Sequence, residues 1–180
     1  MIRAKHWIIV IFILSGYVVS AQDAVPPRLS PAAFATLRYK DTYIKITYCQ
    51  PQKRGREIFG GLVPYGQVWR TGANEATEIT LTKDVFINGM MITAGTYSLF
   101  TVPDKDKWVI ILNKELGLWG SYNYNYKNDL VRFEVPVQAD TIVNESFTIK
   151  FDQRNNVADL LLLWDKTKIS IPFQCIDPRQ

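Results

Sequence analysis

The residues of this chain best suited to chemistry lie between Arg54 and Thr77, reading R-G-R-E-I-F-G-G-L-V-P-Y-G-Q-V-W-R-T-G-A-N-E-A-T. These 24 residues hold five of the ten glycines, three arginines, three aromatics and two glutamates, so backbone freedom and polar side chains are concentrated together. At its start Lys53, Arg54 and Arg56 flank Gly55, which lets a backbone approach a ligand. A guanidinium there suits a carboxylate, sulfate or phosphate through paired N–H donors. The plainer reading is a solvated loop in which Arg56 pairs with a carboxylate such as Glu57.

Further along, Trp69-Arg70-Thr71-Gly72-Ala73-Asn74-Glu75 carries a turn signal at Gly72 and a residue at Asn74 that tolerates a left-handed backbone. Either Arg70, Asn74 and Glu75 converge as a polar cluster beside Trp69, with Tyr65 near by, or an Arg70–Glu75 pair fixes the loop and Trp69 belongs to the core. A third segment, Trp119-Gly-Ser-Tyr122-Asn-Tyr124-Asn-Tyr126, alternates aromatic with polar residues. If extended, its tyrosines share one face and stack on sugar rings. The alternative is an aromatic flap over the sandwich end or an edge strand, with the tyrosine hydroxyls wet in both cases.

Catalysis has few routes open to it. The single histidine, His6, falls in an N-terminal leader, which removes imidazole-activated serine or cysteine nucleophiles and imidazole metal sites from the remainder. Two carboxylates suffice for glycoside hydrolysis, and Glu57, Glu75 and Glu78 lie in or beside the focal stretch, with Glu75 the first candidate. No nucleophile elbow, phosphate-binding glycine loop or calcium loop is present, and no metal or cofactor is expected. Cys49 and Cys175 form an even pair in a chain read as exported, so they are either a disulfide or two buried apolar thiols.

The leader itself has a basic start at Arg3, Lys5 and His6, an apolar run from Trp7 to Leu14, and Val19-Ser20-Ala21 as a cleavage site. That run is too short for a membrane span, which needs about 20 apolar residues. Residues 1–21 are therefore predicted to be a signal peptide. The mature chain, 22–180, is predicted to be a single domain that is periplasmic or secreted and has no membrane span. Two of the formal +4 charges leave with Arg3 and Lys5, so nothing points to nucleic acid.

Positioning these residues falls to strands. Tyr43 to Cys49 alternates Ile44, Ile46 and Tyr48 with polar neighbours. Asn88-Gly89 between apolar runs predicts a type I′ hairpin, and Pro103 to Asp106 turns a second hairpin. Asn113 to Asp129 reads as irregular. Leu130–Val137, Ser146–Asp152, Val157–Trp164 and Lys168–Phe173 read as four more strands, with Asn155-Asn156 as a turn. No segment has helical periodicity. Eight to ten short strands predict an all-β, antiparallel β-sandwich, with jelly-roll-like or barrel-like variants open. The focal stretch is then a structured loop laid over it.

The motifs Gly55-Arg56, Ile58-Phe59-Gly60, Leu62-Val63-Pro64-Tyr65-Gly66, Trp69-Arg70 and Gly72 to Thr77 resemble the signature of a bacterial secreted family, domain of unknown function 2911. The resemblance continues through Ala94 to Phe100, Trp108 to Asn113 and Trp119-Gly120, covering roughly residues 30–173. It implies a signal-bearing, β-rich single domain whose activity is unassigned, and it supplies no site residues. Cys49 stands where that family usually has a small residue such as Ser. The function expected from the residues is a non-catalytic binding or structural module. Its ligand is expected to be a carbohydrate or small anion on the 54–77 loop, and the alternative is a histidine-independent glycan hydrolase.

Overall fold

A computed structural model describes residues 27–176; the predicted signal segment 1–21 lies outside them. Nine strands follow one another: β1 (Ala32–Tyr39), β2 (Thr42–Cys49), β3 (Thr77–Leu81), β4 (Val85–Ile87), β5 (Met90–Ile92), β6 (Gly95–Val102), β7 (Lys107–Asn113), β8 (Asp129–Arg154) and β9 (Val157–Cys175). They form one antiparallel sheet in the order β1-β2-β3-β6-β7-β8-β9-β4-β5, which does not close into a barrel. One 3-10 turn, Tyr126–Asn128, is the only helical element among the described residues.

β8 is the strand that makes two layers from one sheet. Its first part pairs with β7 as far as Pro136, and from Val137 onward it pairs with β9. Between Ala139 and Thr148 the register shifts twice, and Asp140 closes a turn by accepting from the amide of Ile142 and from Asn144 Nδ2. β9 also bends. Its 19 residues would span about 60 Å if straight, yet the Cys175 amide donates to the Asn156 carbonyl at 2.7 Å. The reversal falls at Asp165, which has φ +52°. The four short strands expected over residues 130–173 are thus limbs of two long, bent ones. Each break was visible as a polar interruption, while the continuity of pairing through it was not.

Alternation puts the apolar faces together. Ile44, Ile46 and Tyr48 of β2 point inward and Lys45 and Thr47 outward. Ile79, Leu99, Ile110 and Leu112 of one layer face Ile87, Leu160, Ile171 and Phe173 of the other. At one end five aromatic rings, Phe59, Trp69, Trp108, Phe147 and Trp164, pack mostly edge to face with centroids 4.8–6.1 Å apart. Rings at that spacing add about 0.5–1.5 kcal/mol per pair to their burial. Trp69, carried by the focal loop, is therefore a core residue. A smaller cluster of Ala76, Phe100 and Ile111 lies on the outer face of the first layer, covered by Leu118 and Tyr124. The 114–128 segment is thus a flap laid on that face.

Candidate ligand-binding cleft

The stretch from Pro51 to Ala76 connects β2 to β3 without a strand of its own, as expected of a loop laid over the sandwich. Its backbone is held at many points. Trp69 and Thr101 exchange both backbone hydrogen bonds at 2.7 and 2.9 Å, and Trp69 Nε1 donates to the Gly72 carbonyl at 3.0 Å. Thr71 donates through Oγ1 to Thr101 Oγ1, while Thr77 Oγ1 donates to the Thr71 carbonyl at 2.7 Å. Thr71 is fully buried and has φ +54°. A β-branched residue in that region is strained by roughly 1–3 kcal/mol. Arg70 is thus held beside a strained turn.

Arg70 opens into a cleft of about 530 Å³ whose walls include Pro51, Arg56, Leu62, Gln67, Trp69, Asn74, Ser121, Tyr122 and Trp164. The N-terminal strap supplies Leu29 and Ser30. Two arginines and no carboxylate are found among the described residues lining it. Arg56 is fixed by its own loop: Nε donates to the Lys53 carbonyl at 3.0 Å and Nη2 to that of Gln52 at 2.6 Å. Arg70 is different. Its Nε is a buried donor without a protein hydrogen-bond partner. Buried donors are met in nearly all native structures, and leaving one unmet costs on the order of 1–3 kcal/mol.

Gly120 links the flap to this arginine. It has φ +70°, and its amide donates to the Asn74 carbonyl at 2.9 Å. A Cβ there would lie 2.8 Å from the Tyr122 ring and 3.8 Å from Arg70 Nη1. The absent side chain is what lets the Tyr122 ring lie over this turn, on the side where Arg70 Nη1 approaches.

Glu75 does not join them. Of the two alternatives, the Arg70–Glu75 pair is replaced by Arg28–Glu75, with Arg28 Nη1 at 2.7 and 2.8 Å from the two carboxylate oxygens, and that carboxylate leaves the Arg70 cluster as well. Asn74, at φ +56°, turns the chain so that Glu75 bridges to Trp119 on the outer face of the first layer. There Glu75 also accepts from Cys49 Sγ at 3.2 Å and lines a separate hollow of about 280 Å³ with Thr47, Glu78 and Leu118. Hydrogen bonding from its own backbone amide and from Arg28 holds the Glu75 carboxyl below the usual range. A glycosidase acid requires the opposite displacement.

The other candidates disperse. Arg54 takes φ +51°; its amide donates to Glu145 Oε1 and its Nη2 to the Leu29 carbonyl. Arg56 binds carbonyls and does not pair with Glu57. Tyr65 lies against Gly60, where a Cβ would be 2.7 Å from its ring. Trp119 is exposed at the bridge to Glu75. Tyr122, Tyr124 and Tyr126 do not share a face. Tyr122 and Tyr126 are exposed, whereas the Tyr124 ring packs on Phe100 and its hydroxyl donates to Asp129 Oδ2 at 2.7 Å. The flap closes on Phe100 and so carries the Tyr124 hydroxyl onto a carboxylate. Burial first, then Asp129, pushes its pKa upward.

Cys49 and Cys175, the disulfide candidates, are free and buried. Cys49 contacts Glu75 on the outer face of the first layer, whereas Cys175 belongs to the inner core and pairs with Val85.

Sequence reasoning missed Gln67, Ser121 and the strap residues Arg28 and Ser30. Asn74 Nδ2 donates to the Ser30 carbonyl at 3.4 Å. A lone arginine between Pro27 and Pro31 was the available signal for the strap.

Set against known proteins, the chain matches the model of a family described as protein of unknown function (DUF2911) over residues 30–173, and it belongs to that family. No curated protein and no solved structure gives a significant match.

Proposed function

We propose that this chain is an exported, non-catalytic binding protein whose cleft holds an anionic ligand on the Arg70 guanidinium. The observation that carries this reading is an Arg70 guanidinium that makes no hydrogen bond or ion pair among the described residues, its Nε buried and unmet, in a cleft lined by two arginines and no carboxylate among those residues. A guanidinium binds a carboxylate through two parallel N–H donors, a charge-assisted geometry about twice as strong as a neutral one. The volume falls within the roughly 300–1,000 Å³ of small-molecule sites. Export rests on the leader at residues 1–21.

The test is thermal unfolding of the purified protein with citrate, phosphate, sulfate, hexuronates and neutral hexoses. A ligand that binds only the native state raises the melting temperature. At least one anion raises it in the wild type and fails to do so in Arg70→Gln, while neutral hexoses do nothing. No response to any anion overturns the reading.

A further inference from the structure

Resting on the anion-binding reading of the cleft, we infer that the ligand's negative charge is the carboxylate of an acidic sugar, a hexuronate unit of an oligosaccharide. Three features narrow the anion to this class.

The first is the number of free donors. Arg56 has committed Nε and Nη2 to its own loop, whereas the Arg70 guanidinium makes no hydrogen bond or ion pair among the described residues. One planar fork matches one planar carboxylate, and it matches a phosphate as well, so the choice between the two rests on the neighbouring ring and the polar lining.

The second is the ring beside it. Tyr122 is 84% exposed, an unusual state for an aromatic side chain, and it forms a wall of the cleft. Gly120 brings that ring and Arg70 Nη1 against the same point. In a hexuronate the carboxylate is bonded directly to the pyranose ring. A sugar whose C–H face lies on Tyr122 therefore carries its carboxylate beside the guanidinium.

The third is the remaining polar lining. Gln67, Asn74 and Ser121 present amide and hydroxyl groups around the cleft. Asn74 uses its Nδ2 toward Ser30, which leaves its side-chain Oδ1 as an acceptor. Neutral donors and acceptors arranged around a charged anchor match ring hydroxyls; an inorganic anion or a simple dicarboxylate has no use for them.

The experiment is calorimetric titration of the full-length mature protein with trigalacturonate and trimannuronate, their methyl esters, citrate and phosphate. Wild type, Arg70→Gln, Tyr122→Ala and the exposed control Tyr126→Ala are compared. An acidic trisaccharide binds the wild type, and its methyl ester binds at least about tenfold more weakly because the charge-assisted contact is gone. Tyr122→Ala weakens the acidic trisaccharide about tenfold, and Tyr126→Ala leaves it unchanged. The sugar assignment is overturned, with the anion reading intact, if citrate or phosphate binds through Arg70 and neither uronate does. Uronate affinity indifferent to Tyr122→Ala overturns it equally. No binding by any anion overturns both.

Discussion

Arg28 grips Glu75 through both carboxylate oxygens, at 2.7 and 2.8 Å, across 47 residues of sequence. The pair is well exposed, so its Coulomb energy is largely screened and its weight in global stability is small. Its local role is larger: with the Ser30 carbonyl on Asn74 and the Leu29 carbonyl on Arg54, it straps residues 28–30 along the edge of the cleft. Glu75 titrates below the usual range, so the clamp is intact above the ordinary carboxylate pKa and is lost as pH falls through the depressed one. The Gln50 amide, bonded to the Pro31 carbonyl at 2.8 Å, should exchange faster in Glu75→Gln at neutral pH, and in the wild type only under acid. Equal exchange in the two proteins at neutral pH would refute the clamp.

Tyr124 makes an alkaline prediction. Its folded pKa is raised by burial and Asp129, so its contribution is fully present below the unfolded value near 10 and is lost as pH rises toward the folded one. Tyr124→Phe should cost about 1–2 kcal/mol at neutral pH, through loss of a hydrogen bond to a carboxylate. It should also flatten the fall in melting temperature above pH 10. Parallel pH profiles for the two proteins would contradict this assignment.

Two glycines of the focal loop separate crowding from backbone strain. Gly66 has φ +71° and open space around it, so Gly66→Ala should cost only about 1 kcal/mol of left-handed strain. Gly61 has no such φ, but a Cβ there would sit 2.7 Å from the Glu57 carbonyl oxygen, a backbone atom that cannot swing aside. Gly61→Ala should therefore cost more, about 2 kcal/mol or above. Chemical denaturation ranks them, and the reverse order would show that the loop relaxes freely.

Trp69 and Trp119 mark the difference between core and rim. Trp69→Ala removes a ring from the five-ring cluster together with its hydrogen bond to Gly72, and should cost about 3–5 kcal/mol. Trp119, 58% exposed, should change stability by less than about 0.5 kcal/mol when replaced by Ala. A similar loss in both would place Trp119 in a core that the structure does not give it.

Much of the fold was legible because its turns have local chemistry. Asn88 and Gly89 take φ +48° and +77°, the two positive values a type I′ turn requires. Asn155 likewise turns at φ +58°. In the sequence the bends of β8 and β9 look like chain breaks, because a polar residue such as Asp165 ends an apolar run whether or not pairing continues beyond it. At the site, Arg70 and Asn74 were legible from glycine and arginine density, but the partner of Glu75 was not. Periodicity carries no information about a contact with a residue 47 positions away. Nor does the sequence tell a solvated guanidinium from one whose Nε is buried.

The anion-binding role of Arg70 is tested most directly by arginine side-chain NMR. In a 15N–1H correlation of the Nε–H groups, the Arg70 resonance is assigned by its disappearance in Arg70→Gln. Titration with trigalacturonate, then with citrate, should shift that resonance saturably, while the Arg56 Nε–H, already bonded to the Lys53 carbonyl, moves far less. An Arg70 signal that stays fixed through both titrations would contradict the assignment of this cleft as an anion site.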